Sequence, residues 1–248
     1  MLKEHMSLAG KRVLVTGGTT GIGRAIVFML MDEGARVLTF GRDEKVLQET
    51  IETARKKKGE LFGLSADVAS EQDVMRVYSE LDAKLGGIDI LVANAGIAGD
   101  GLAEASEQEW RYVVETNLVG YMTCAKAAID RMQTGPGGQL VFIGSISAEL
   151  KSPGSSVYAA TKAGIEAFAE TLRKEVADRN IRVSSIQPGS VKSDMQESSP
   201  EEQELAITRH EMLAAEEIAE AVQFIITRAA RCDVVNLRIE PRLEDYSG

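Results

Sequence analysis

The chain has 248 residues, a formal net charge of −10 and 44% hydrophobic residues. That length suits one well-cored domain, and the acidic balance argues against non-specific nucleic-acid binding, which needs a basic face. Two histidines, His5 and His210, and two distant cysteines, Cys124 and Cys232, show no metal-ligand spacing, so no metal site is expected. The cysteines read as free thiols of a reducing compartment. Without an apolar run of about 18 residues or a signal-peptide pattern, no membrane span is expected, and the expected location is cytoplasmic.

After a lead-in over residues 1–10, short apolar runs alternate with longer amphipathic stretches. Strands are predicted at 12–16, 36–40, 60–64, 88–93, 139–143, 182–187 and 234–240. Helices are predicted at 23–33, 44–58, 71–85, 106–132, 156–178 and 215–229. Arg55, Lys56, Lys57 and Lys58 read as the solvated cationic end of the second helix, with Gly59 as its cap. Strict alternation implies βαβ crossovers and a parallel sheet, hence an α/β fold. Near-continuous apolar strands such as Ile88-Asp89-Ile90-Leu91-Val92 fit a sheet covered on both faces. Only residues 190–212, polar, acidic and carrying Pro200, interrupt the pattern.

The first strand runs into Thr16-Gly17-Gly18-Thr19-Thr20-Gly21-Ile22-Gly23, followed by a helical pattern. Gly17 permits a tight turn, Gly21 a close backbone approach and Gly23 close helix–strand packing. The free N–H groups of the helix start then face an anion. The spacing G-x-x-x-G-x-G differs from the G-x-G-x-x-G dinucleotide fingerprint, and a ligand-free βα turn is the alternative. An acid at the end of the second strand would bind ribose hydroxyls. Here Gly41 and Arg42 stand there. Arg pairs with phosphate in bidentate fashion, which favours a 2′-phosphate and NADP over NAD. The alternatives are a solvated Arg42 and Asp43 as a helix N-cap.

Tyr158 and Lys162 stand four residues apart, and Ser145 lies 13 residues before the tyrosine. Positions i and i+4 share a helix face, so a phenol and an ammonium can flank one ligand. The lysine cation is expected to lower the tyrosine pKa from about 10. The alternative is a plain surface pair.

With these motifs in order, nearly the whole chain, from about Leu8 to the last strand, resembles the short-chain dehydrogenase/reductase family. The turn 16–23 matches the family's T-G-x-x-x-G-I-G. Asp67-Val68 matches its adenine-contacting aspartate segment, and Asn94-Ala95-Gly96 its N-A-G motif beside the cofactor. Asn117, Ser145, Tyr158 and Lys162 match its catalytic tetrad. The 13-residue spacing selects Ser145 over Ser147. Pro188-Gly189 matches the segment beside the nicotinamide, and Ser193 stands where the family often has a threonine that holds the carboxamide. Asp67 as a helix cap, Asn94 as a turn residue, Asn117 as a buried polar group satisfied by backbone, and Pro188-Gly189 as a chain reversal are the local alternatives.

The resemblance implies a Rossmann-type doubly wound parallel sheet of about seven strands, helices on both faces, in one domain over residues 1–248. It implies hydride transfer between a nicotinamide and a carbonyl or secondary alcohol. Tyr158 would be the general acid/base and Ser145 a hydrogen-bond donor to the substrate oxygen. Lys162 would hold ribose hydroxyls, and Asn117 would steady a water. The cofactor positions it implies are Gly17, Thr19, Thr20, Gly21, Ile22 and Gly23 in the turn. Further along they are Arg42, Asp67, Val68, Asn94, Ala95, Gly96, Tyr158, Lys162, Pro188, Gly189, Val191 and Ser193. Residues 190–212 would be a substrate loop. Met195, Leu205, Ile207 and Met212 among Glu197, Glu201, Glu202 and Glu204 fit an amphipathic lid or a solvated loop-helix. Residues 148–151 would border the pocket. A homo-oligomer is expected, dimer or tetramer. A non-catalytic dinucleotide-binding redox sensor or scaffold is the other class of function. An epimerase or dehydratase of the extended relatives would be expected to have a longer chain.

Overall fold

Seven short apolar strands carry the architecture: β1 (Arg12–Thr16), β2 (Arg36–Gly41), β3 (Glu60–Ser65), β4 (Ile90–Ala93), β5 (Gly138–Ile143), β6 (Ile181–Pro188) and β7 (Asn236–Ile239). The computed structural model describes residues 6–196 and 198–245, so His5 and Glu197 lie outside the described residues. All strand pairs are parallel, in the order β3-β2-β1-β4-β5-β6-β7. The order reverses at β1, whose neighbours are β2 and β4, and the ligand crevice of such a sheet opens at the strands' C-terminal ends there.

The connections are α1 (Gly21–Asp32), α2 (Glu44–Ala54), α3 (Glu71–Leu85), α4 (Glu107–Val114), a π-turn (Glu115–Val119) leading into α5 (Gly120–Met132), α6 (Ser147–Leu150), α7 (Ser156–Val176), α8 (Pro200–Thr208) and α9 (Ala215–Ile226). Sequence marks their starts. Asp43 accepts the N–H groups of Lys45 and Val46 to open α2, Ser70 caps α3, and Ser106 with Glu109 forms a capping box at α4.

Alternating side chains of the central strands feed two apolar layers. Leu14, Leu91, Ala93, Leu140 and Phe142 join α3, α5 and α7 on one face. Val13, Val15, Ile90, Val92 and Val141 join α1 and α9 on the other. The sheet is thereby covered on both sides, as continuous apolar strands require. Among the described residues no helix is long and apolar enough to cross a membrane.

Two local expectations are corrected. The helix over 44–58 stops at Ala54, because the chain must turn back to pair β3 beside β2. Lys57 folds over α1, with its ammonium 2.7 Å from Asp32 and 5.0 Å from the Phe28 ring centre. Gly59 is no helix cap: its N–H donates to the Met31 carbonyl, next to the first residue of β3. The single helix expected over 106–132 is interrupted by the π-turn that holds Asn117, a widening that helices often adopt at functional sites.

Candidate active site

At the C-terminal ends of the strands lies a cavity of about 680 Å³. All the cofactor positions expected from sequence line it, from Gly17 to Ser193, together with Ser145. Its phosphate end is the β1–α1 turn. Gly17 has φ +65°, and a Cβ on Gly23 would fall 2.1 Å from the Gly17 carbonyl oxygen and 2.5 Å from the Asn94 amide. The turn therefore closes only around glycine. Asn94 ties it down by donating from its amide to the carbonyls of Thr16 and Gly17. Thr20 offers no side-chain cap to α1, and no acid stands in that helix's first turn. The first N–H groups are left for an anion, as a dinucleotide's pyrophosphate requires.

At the adenosine end, Gly41 has a steric reason for lacking a side chain. A Cβ there would meet Thr19 Oγ1 at 2.6 Å, so the carboxylate that would read ribose hydroxyls has no room. Arg42 donates from Nη1 to the Tyr112 hydroxyl at 2.8 Å, and that hydroxyl donates to Asp67 Oδ2 at 2.7 Å. Asp67 is not the cap of α3, a role taken by Ser70; its other oxygen accepts the Ala69 N–H. Asp43 does cap α2.

At the catalytic end, α7 places Tyr158 and Lys162 on one face, and the end of β5 brings Ser145 opposite. Lys162 is 4% exposed. It donates to the Ile143 carbonyl at 3.0 Å and lies 5.6 Å from the Tyr158 ring centre. Burial depresses the Lys162 ammonium to about 8, opposed by the nearby charge of Glu166. The expectation that Lys162 lowers the Tyr158 pKa is corrected. Tyr158 keeps an edge open to the cavity, yet burial holds its hydroxyl above the ordinary phenol range, and only a hydrogen bond from Ser145 opposes this. The ammonium is instead bonded to the Ile143 backbone carbonyl. Ser145 also pairs with the Ser147 hydroxyl and accepts the Ser147 N–H.

Asn117 does not line the cavity. Its side-chain amide binds Ile97, accepting its N–H and donating to its carbonyl. It clamps the strand-end loop that follows Asn94-Ala95-Gly96. The Ser193 hydroxyl accepts the Met195 N–H, and its own N–H donates to Gln203 of α8. α8 is not an amphipathic lid: its buried residue is Gln203, Leu205 is 48% exposed, and Glu201, Glu202 and Glu204 face solvent. Met195 does line the cavity. Residues 148–151 do not; Glu149 instead pairs with Arg238 at 2.7 Å.

Three residues were missed by sequence reasoning. Tyr112 and Thr116 line the cavity, and Thr116 carries a buried hydroxyl without a partner. Their i, i+4 spacing just before Asn117 puts them on one face, a signal that was available. Glu166, one turn beyond Lys162, buries a carboxylate that accepts from Ser185 and Asn236.

A glycine turn feeding an unprotected helix start, and a Ser–Tyr–Lys cluster at the far end of one crevice, define a dinucleotide-dependent oxidoreductase. The chain matches the short chain dehydrogenase model over residues 11–204 and belongs to that family; it is an NAD(P)-dependent oxidoreductase of carbonyl and alcohol groups. It is 41% identical to the 3-oxoacyl-(acyl-carrier-protein) reductase FabG of Chlamydia pneumoniae over 192 residues, 77% of each chain. To the Vibrio cholerae enzyme of that name it is 33% identical over 230 residues, 91% of this chain and 93% of that one. An alcohol dehydrogenase from the archaeon Thermococcus sibiricus, complexed with 5-hydroxy-NADP, superposes with a TM-score of 0.84 at 26% identity, covering 95% of this chain and 98% of that one. A dehydrogenase/reductase from Sinorhizobium meliloti 1021 gives 0.86 at 28% identity, covering 96% and 98%.

Proposed function

We propose that this protein is an NADP(H)-dependent carbonyl reductase in which Tyr158 is the proton donor. The observation that carries the reading is the placement of Tyr158 with Ser145 and Lys162 at the catalytic end of the crevice. A phenol there is protonated at neutral pH and can give its proton to a developing alkoxide. Ser145 would donate to the carbonyl oxygen and keep it within reach of Tyr158. Lys162 would offer its remaining N–H groups to ribose hydroxyls. The Gly17–Gly23 turn would hold the pyrophosphate, Arg42 the 2′-phosphate, Asp67 and Val68 the adenine, and Pro188, Gly189, Val191 and Ser193 the nicotinamide side. NADPH, when bound, supplies the hydride that reduces the carbonyl carbon.

The absence of room for an acid at Gly41 and the presence of Arg42 support NADP over NAD, as does the NADP analogue in the Thermococcus sibiricus structure. The names of the FabG relatives put 3-oxoacyl thioesters first among substrates to try. The same reading takes residues 190–212 as the substrate loop, the free Cys124 and Cys232 as support for a cytoplasmic setting, and a homo-oligomer as the working assembly. The decisive experiment follows nicotinamide absorbance across a panel of 3-oxoacyl thioesters, ketones and aldehydes, with wild type and Tyr158→Phe. Turnover in the wild type and its loss in the variant, with NADPH still bound, is expected. A variant that keeps near-normal turnover would overturn the role of Tyr158. Binding without turnover on every substrate would favour the redox sensor.

A further inference from the structure

We propose that Tyr112 is a specificity-determining residue, whose hydroxyl fixes Arg42 for an adenosine 2′-phosphate and joins that cation to Asp67. The inference rests on the NADP reading above and extends it to a residue outside the strand-end positions.

Among the described residues, Arg42 and Lys162 are the cationic side chains lining the cavity, and Lys162 is committed to the catalytic end. A 2′-phosphate therefore depends on Arg42. That side chain is exposed at the crevice rim, where a long flexible arm loses much rotamer freedom on binding. The structure restrains it in advance. Tyr112 accepts from Nη1 at 2.8 Å, and its ring centre lies 5.7 Å from the guanidinium carbon. The guanidinium has five N–H donors in a rigid fork, so one bond to Tyr112 leaves an edge for bidentate phosphate contact.

The phenol is the group the geometry needs, because it accepts and donates at once. Its proton goes to Asp67 Oδ2 at 2.7 Å. Burial and the Asp67 contact hold that hydroxyl above the usual phenol range, so it remains a neutral donor. Arg42 and Asp67 make no direct ion pair among the described residues, and the hydroxyl stands between them. One residue of α4 thus couples the phosphate-reading cation that follows β2 to the aspartate that follows β3. The same helix face continues to Thr116, whose hydroxyl is buried without a partner in the cavity wall.

Calorimetric titration of the full chain with adenosine 2′,5′-bisphosphate and with AMP separates phosphate recognition from general binding. Tyr112→Phe keeps the ring and removes only the hydroxyl. It is expected to weaken the bisphosphate roughly five- to tenfold, the net scale of one hydrogen bond, and AMP less than about twofold. In an Arg42→Ala background the same change should no longer alter the bisphosphate-to-AMP ratio, since the two residues act as one unit. A Tyr112→Phe ratio equal to the wild type, or an equal loss for both ligands, would overturn the role of Tyr112 and leave the NADP reading standing. A ratio untouched by Arg42→Ala would instead overturn the NADP reading, and this proposal with it.

Discussion

Lys162 shows how one side chain is set by two demands. Four residues after Tyr158 it shares the ligand-facing side of α7, which is why the spacing was readable from sequence. Its depth was not readable, because Ile143 and Tyr121 gather round it from separate stretches of chain. Burial depresses its pKa to about 8 from the ordinary 10.5. Between those values the unfolded chain binds more protons than the folded one, so stability rises with pH across that window, and below pH 8 the full cost stands. That cost is on the order of 3 kcal/mol. Lys162→Met is expected to raise the unfolding free energy at pH 7 by up to about that amount, with the gain fading as pH approaches 10.5. The lost hydrogen bond to the Ile143 carbonyl is covered, because Tyr121 also donates there at 3.0 Å. Urea unfolding of the cofactor-free protein at pH 7 and pH 10 checks this, and a destabilised variant at pH 7 would contradict it. Ser145 and Tyr158 were legible in the same way as Lys162. The grip of Asn117 on Ile97 was not, since nothing local marks a contact across 20 residues.

Among the elements, the β1–α1 turn and the end of β2 work as one unit. Thr19 of the turn fills the space that a side chain at position 41 would take, and Thr50 of α2 donates to the Thr19 carbonyl from behind. Cofactor choice is therefore built into packing as well as charge. Gly41→Asp alone, the change that would supply a ribose-reading carboxylate, is expected to destabilise the fold by about 1–3 kcal/mol without gaining NADH affinity. Thr19→Gly in the same chain should recover stability and admit NADH. Thermal unfolding and NADH titration of the single and double variants test this; a well-folded, NADH-preferring Gly41→Asp single variant would refute it. The chain after β7 ties down the segment that follows β6: Glu244 accepts both the N–H and the hydroxyl of Ser190. Strand and helix order was legible because periods of two and 3.6 differ plainly in these runs. The π-turn, the early stop of α2 and the outward-facing Leu205 of α8 were not, because each answers to a neighbour distant in sequence.

Over the whole molecule, the central strands bind the two apolar layers into one structure. Within β4, Leu91 and Ala93 enter one layer while Ile90 and Val92 enter the other. Neither half of the sheet keeps a complete core alone, so far- and near-ultraviolet circular dichroism should report one coincident unfolding transition. Leu91→Ala, at a fully buried site, is expected to lower stability by about 2–5 kcal/mol while preserving that single transition. Two separated transitions would show that the layers unfold independently.

The sequence by itself determined the α/β alternation, the glycine turn, the Ser145–Tyr158–Lys162 spacing and the resemblance to the family. These are local patterns, or motifs in fixed order along the chain, and local geometry carries them. Tertiary structure alone decided the direction of the Tyr158 shift, the clamp of Asn117 on Ile97, the space denied at Gly41 and the bridge from Arg42 through Tyr112 to Asp67. Each depends on which distant groups meet and how much water they exclude, and no spacing along a chain encodes that directly.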